Sequence, residues 1–224
     1  MVRVAPSILS LDLDELDSGV SVVSSSGADY VHIDVMDGEF VDNTTNGVAM
    51  FKSAYMNSLL PTDVHLMVSD PRSAIEDYLQ ASIITFHIEA VNSIEEAKEI
   101  INYIHERKIK AGIAIKPATK VDEIVELLDD IDQVIVMTVE PGYGGQKLIP
   151  ECLLKVFELR NKKPELDIEV DGGVNDKTAP AAIHAGANLE NIEAVRKSGA
   201  SIVVAGKAFF DAEDKNEFVL KLRG

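Results

Sequence analysis

Tyr30-Val31-His32-Ile33-Asp34-Val35-Met36-Asp37-Gly38 alternates strictly, and successive side chains of a β-strand point to opposite faces. Val31, Ile33 and Val35 give one face an apolar surface to lay against covering elements. His32 and Asp34 share the other. An imidazole and a carboxylate sent together into an interior make that interior a candidate active site.

Outward from this stretch, β-branched runs near residues 3–8, 29–35, 62–67, 82–88, 110–115, 133–139, 167–170 and 201–205 alternate with helical patterns, among them 12–26, 71–80, 93–107, 120–129 and 150–161. Eight βα repeats with no Pro/Gly/Ser-rich linker predict an α/β chain closed as one (β/α)8 barrel domain over residues 1–224, rather than an open doubly wound sheet. Such a barrel gathers its chemistry at the C-terminal ends of its strands. The polar residues fall there: Ser7 after the first strand, His32 and Asp34 on the second, His65 on the third, His87 and Glu89 closing the fourth, Asp171 on the seventh and Gly206 after the eighth.

Composition narrows the classes. The 224 residues are 46% hydrophobic and 26% charged, as in an ordinary globular protein. The apolar runs are too short to span a bilayer, and Met1 leads directly into Val-Arg-Val-Ala without a charged-then-apolar leader. A net charge of −17 disfavours nucleic acid and acidic membranes as partners. A single cysteine, Cys152, excludes an intramolecular disulfide and a cysteine-cluster metal site, and fits a cytoplasmic location. An anionic small substrate would need a local pocket of backbone N–H groups working against the overall field.

His32, Asp34, His65 and Asp171 come from three strands of one barrel and can converge. A lone barrel histidine is more often a hydrogen-bonded interior group, but the mixed N/O set suits zinc, iron, manganese or cobalt better than calcium. Three glycine loops follow neighbouring strands: Pro141-Gly142-Tyr143-Gly144-Gly145-Gln146, Asp171-Gly172-Gly173 and Ala205-Gly206-Lys207. Glycine lets backbone N–H groups approach an anion closely, and Lys207 adds a positive charge. Met36, Met67 and Met137 sit at strand ends, placed either for core packing or for a pocket floor that holds water away.

These motifs together resemble the ribulose-phosphate 3-epimerases, metal-dependent ribulose-phosphate-binding barrels. The matching stretches are Ala5-Pro6-Ser7-Ile8-Leu9-Ser10, His32-Ile33-Asp34-Val35-Met36-Asp37-Gly38, Asp63-Val64-His65-Leu66-Met67-Val68, the Pro141–Gln146 loop and Val170-Asp171-Gly172-Gly173. The resemblance implies one divalent metal ion on His32, Asp34, His65 and Asp171. Asp34 and Asp171 would act as the acid/base pair that inverts carbon 3 of a ketose phosphate through an ene-diolate. It places Ser7, His65, Gly142, Tyr143, Gly144, Gly145, Gly172, Gly173, Gly206 and Lys207 near the substrate. D-Ribulose 5-phosphate is the leading substrate. Allulose 6-phosphate, or a silent barrel that binds sugar phosphate without proton exchange, stays open, and a homo-oligomer is expected.

The chain departs from the family in one large respect. Residues 175–187 and 188–200 read as two versions of one element, each opening on Asn and ending in Gly-Ala, so an extra helical segment is expected between the seventh and eighth strands. Smaller departures are the loop Asp42-Asn43-Thr44-Thr45-Asn46-Gly47, Lys207 where a serine is common, and a short Tyr78–Ser82 entry into the fourth strand.

Overall fold

The computed structural model describes residues 2–177 and 199–223. Within them eight parallel strands form one sheet: β1 (Arg3–Pro6), β2 (Val31–Met36), β3 (Thr62–Met67), β4 (Ile83–His87), β5 (Lys110–Ile115), β6 (Gln133–Met137), β7 (Asp167–Asp171) and β8 (Ile202–Ala205). The order β1-β8-β7-β6-β5-β4-β3-β2 runs around a barrel. Its seam lies between β1 and β2, where a single parallel bridge joins Ser7 to His32 and the Ile8 N–H donates to the His32 carbonyl at 3.2 Å. The expected (β/α)8 architecture is present, with strand ends shifted by one or two residues.

Every residue of β2 and β3 is buried, because each strand packs on both faces. The outward side chains Val31, Ile33 and Val35 join the main core beneath the helices. Smaller apolar groups such as Ala5, Ile202 and Val204 form a separate inner cluster. His32, Asp63, Thr85, Gln133 and Glu169 are also buried, so the barrel carries a polar interior.

The outer helices are α1 (Leu16–Ser25), α2 (Gly47–Asn57), α3 (Pro71–Ala74), α4 (Ile94–Glu106), α5 (Leu153–Lys162), α6 (Lys207–Asp211) and α7 (Lys215–Arg223). The stretch expected as a helix over 120–129 is instead two short 3-10 turns, Val121–Glu123 and Val125–Leu127. Val121, Ile124 and Leu127 are buried there, and a spacing of three suits the tighter 3-10 repeat. The stretch 71–80 is likewise α3 followed by a 3-10 turn over Ile75–Tyr78. The stretch 150–161 opens with one over Pro150–Cys152.

The unusual 42–47 loop has clear local roles. Asn46 caps α2 by accepting from the Ala49 N–H, while the Thr45 hydroxyl donates to the Asp34 carbonyl and accepts from the Met36 N–H. The doubled segment over 175–200 lies almost wholly outside the described residues. Among those residues, no helix is long and apolar enough to cross a membrane.

Candidate active site

Alternation along β2 turns His32 and Asp34 inward, and the parallel register sets Asp34 beside His65 of β3. Asp171 enters from the end of β7. One ligand atom from each of these four residues lies within 4.8 Å of the others. His65 Nδ1 is 3.3 Å from Asp34 Oδ1 and 3.5 Å from Asp171 Oδ2, and His32 Nε2 is 3.5 Å from Asp34 Oδ1.

The far sides of both imidazoles are held. His32 Nδ1 lies 2.8 Å from Asp63 Oδ2 and 3.2 Å from Glu169 Oε1. His65 Nε2 lies 2.9 Å from His87 Nε2, with the two rings stacked. That leaves His32 Nε2 and His65 Nδ1 facing the carboxylates, buried and without a hydrogen-bond partner. Burial alone would lower both imidazole pKa values. The facing carboxylates overcome it, holding His32 well above its ordinary value and raising His65 to about 9. Burial likewise opposes charge on Asp34, and His32 and His65 outweigh it, keeping the carboxyl well below the usual range.

A centre that draws protons onto its imidazoles is a centre short of positive charge. Two ring nitrogens without partners and two carboxylates fit a divalent cation, whose charge would replace those protons. A second overlapping group, His32, Asp63 and Glu169, lies deeper. There burial, then the neighbouring Asp63 carboxylate, pushes Glu169 well above the ordinary carboxyl range.

Above the cluster opens a cavity of about 510 Å³ into which Asp34 and Asp171 both face. Ser7 donates to Asp34 Oδ2 at 2.6 Å. Met36, Met67 and Met137, all nearly fully buried, line its floor. Gly142, Tyr143, Gly144 and Gly145 line one side, and Gly172, Gly173, Gly206 and Lys207 also border it. Gly173 has φ +68° and a Cβ there would sit 2.3 Å from the Leu148 backbone nitrogen, so only glycine fits.

His32 and His65 lie beneath the cavity wall rather than on it. The Tyr143 hydroxyl donates to the Asp42 carbonyl, which leaves the ring at the mouth. Lys207 Nζ is paired with Asp211 Oδ2 at 2.9 Å.

Sequence reasoning missed Asn43 and Asp211, which also line the cavity. Asn43 Nδ2 donates to the Gly142 carbonyl at 2.8 Å and so ties the 42–47 loop to the glycine loop after β6. The position of Asp211 four residues beyond Lys207 on a helix was the one available signal. The partner of His65 was visible only as an unassigned His87 at the end of β4.

The sequence pattern of the Ribulose-phosphate 3 epimerase family matches residues 3–190. The chain is 40% identical over 231 residues to the ribulose-phosphate 3-epimerase of Bacillus subtilis (strain 168), with 100% of this chain and 99% of that protein covered. Identity is 41% to the ribulose-phosphate 3-epimerase of Schizosaccharomyces pombe, covering 99% and 92%, and 37% to that of Methanocaldococcus jannaschii, covering 100% and 90%. Among solved structures, 3-keto-L-gulonate-6-phosphate decarboxylase from Vibrio cholerae superposes with a TM-score of 0.67 at 15% identity, covering 99% of this chain and 95% of that one, a likeness of fold alone. With relatives matched from end to end and a converged His/Asp cluster at the mouth of a parallel barrel, the chain belongs to the ribulose-phosphate 3-epimerase family.

Proposed function

We propose that the protein interconverts D-ribulose 5-phosphate and D-xylulose 5-phosphate by inverting carbon 3, with Asp34 and Asp171 as the acid/base pair. The observation that carries this is their placement: two carboxylates from non-neighbouring strands reach one cavity and meet at the same ring nitrogen, His65 Nδ1. His32, Asp34, His65 and Asp171 would hold one divalent ion, of zinc, iron, manganese or cobalt. Bound there, such an ion supplies positive charge against the negative charge that builds on the substrate oxygens.

The chain's own groups do the rest. One aspartate removes the proton from carbon 3 and the other delivers a proton to the opposite face, which inverts the centre. Ser7 orients Asp34 through its hydrogen bond. The methionine floor keeps water from the carbanionic species. The phosphate end is assigned to the rim formed by Gly142, Gly144, Gly145, Gly172, Gly173, Gly206 and Lys207, with Tyr143 at the mouth. Family membership carries the expectation of a homo-oligomer, testable by sedimentation. The lone buried thiol of Cys152 suits a reducing cytoplasm.

The test is NMR of metal-replete protein with ribulose 5-phosphate in deuterated water. Xylulose 5-phosphate carrying deuterium at carbon 3 is expected. Bound metal with no exchange on this substrate would defeat the assignment, and turnover of allulose 6-phosphate instead would redirect it.

A further inference from the structure

His87 ends β4 and Glu89 lies in the 3-10 turn that follows it, Ile88–Ala90, and neither lines the cavity. Their geometry is nevertheless directional. Glu89 Oε2 lies 2.9 Å from His87 Nδ1, and its other oxygen, Oε1, accepts from the Lys116 N–H at 2.8 Å and from the Thr119 hydroxyl. A carboxylate offers only acceptors, so the proton of His87 resides on Nδ1. His87 Nε2 is then a lone pair, and the nitrogen 2.9 Å away, His65 Nε2, must be the donor. In the neutral ring that a cation would bind, the lone pair of His65 is thereby left on Nδ1, facing Asp34 and Asp171.

We propose that Glu89 is a positioning residue for the metal centre, acting through His87 to fix His65 as the tautomer whose Nδ1 can bind the ion. This rests on the proposed ligand set and extends it one layer outward. The two ligand histidines are governed differently. His32 meets its carboxylate, Asp63, directly, whereas His65 meets Glu89 only through an intervening imidazole. A hydrogen bond to the far nitrogen of a ligating histidine both orients the ring and raises its basicity.

Glu89→Gln is nearly isosteric and puts the claim at risk. The carboxamide has one acceptor oxygen where the carboxylate has two. If that oxygen serves the Lys116 N–H, the amide NH2 faces His87 Nδ1 and forces the His87 proton onto Nε2. Two N–H groups then confront each other between His87 and His65, and the lone pair at His65 Nδ1 is no longer secured. Thr119→Val, which keeps the carboxylate and removes one of its donors, is the milder companion.

The experiment uses zinc as the probe. Zinc affinity is measured by chelator competition for wild type, Glu89→Gln and Thr119→Val, and the imidazole tautomers of the zinc-loaded wild type are read from 15N NMR. Expected are His87 protonated on Nδ1, His65 protonated on Nε2, and zinc affinity about 10–100-fold weaker in Glu89→Gln and close to wild type in Thr119→Val. A His87 protonated on Nε2 in the wild type would overturn the inference without any variant, so a Glu89→Gln protein that fails to fold does not shelter it. Unchanged affinity in folded Glu89→Gln would overturn it equally. A wild type that binds no zinc, iron, manganese or cobalt would instead remove the ligand set itself.

Discussion

The Ser7 hydroxyl and Asp34 Oδ2 are joined at 2.6 Å across the seam where β1 meets β2, a join made by one bridge instead of a continuous ladder. The serine thus belongs to barrel closure and, in the proposed mechanism, orients Asp34. Ser7→Ala is expected to leave the fold intact and lower kcat, because a hydrogen bond to a charged group contributes about 1.5–3 kcal/mol. Steady-state kinetics at saturating substrate would test this, and a kcat equal to wild type would show that Asp34 is oriented by its other contacts.

Asp34→Asn and Asp171→Asn should each reduce epimerisation by about 10²–10⁴-fold, the usual scale of acid–base contributions. Asp34→Asn should also weaken metal binding, since its Oδ1 faces both histidines. Deuterium uptake at carbon 3 read beside metal content separates the two effects. Wild-type turnover in either variant would remove that aspartate from the mechanism.

Lys207 and Asp211 should act in opposite directions. In the structure the ammonium is paired with Asp211, and both groups are exposed at the cavity rim. Lys207→Ala is expected to raise KM by roughly tenfold through loss of a charged donor to phosphate. Asp211→Asn should lower KM by only a few-fold, because an exposed pair is worth about 1 kcal/mol or less. Equal effects of the same sign would mean that Lys207 does not face the phosphate.

Glu89 also predicts a pH dependence of stability. Burial works against its charge, but hydrogen bonds from His87, Thr119 and the Lys116 N–H overcome it and hold the carboxyl at about 2, against an ordinary value of 4.5. The unfolded chain therefore binds this proton more readily than the folded one. The contribution is present in full above about pH 4.5 and is lost as pH falls toward 2. Urea midpoints of wild type and Glu89→Gln should differ fully from about pH 5 upward and converge on acidification, and a difference that stays constant or grows as pH falls would contradict this.

The strand alternation of Val31–Met36 made the inward face of β2 legible, and the repeat of such runs made the barrel legible. A strand pattern says which way a side chain points, so His32, Asp34, His65 and Asp171 could be assembled from strand ends. It says nothing about which neighbour lies across the wall, and for that reason the His65–His87–Glu89 chain had to be seen in three dimensions. Loops obey no period, which hid Asn43. The spacing of Val121, Ile124 and Leu127 satisfies both an α-helix and 3-10 turns over so short a span, and the wrong one was expected there. The doubled element over 175–200 falls almost entirely outside the described residues.

The strand pairing makes the seating of Ser7 a long-range matter. β1 and β2 follow one another in the sequence, yet the ladder partner of β1 is β8, residue for residue from Arg3↔Ile202 to Pro6↔Ala205. On its other side, among the described residues, one parallel bridge joins it to β2, below which the Val4 carbonyl accepts from the Asp29 and Tyr30 N–H groups. Pairing of β2 with β3 brings His32, Asp34 and His65 together over a short stretch of sequence. Seating Ser7 against Asp34 instead depends on β1 being held by β8, distant in sequence. A barrel lacking β8 would keep His32, Asp34 and His65 on paired strands and lose the ladder that seats Ser7.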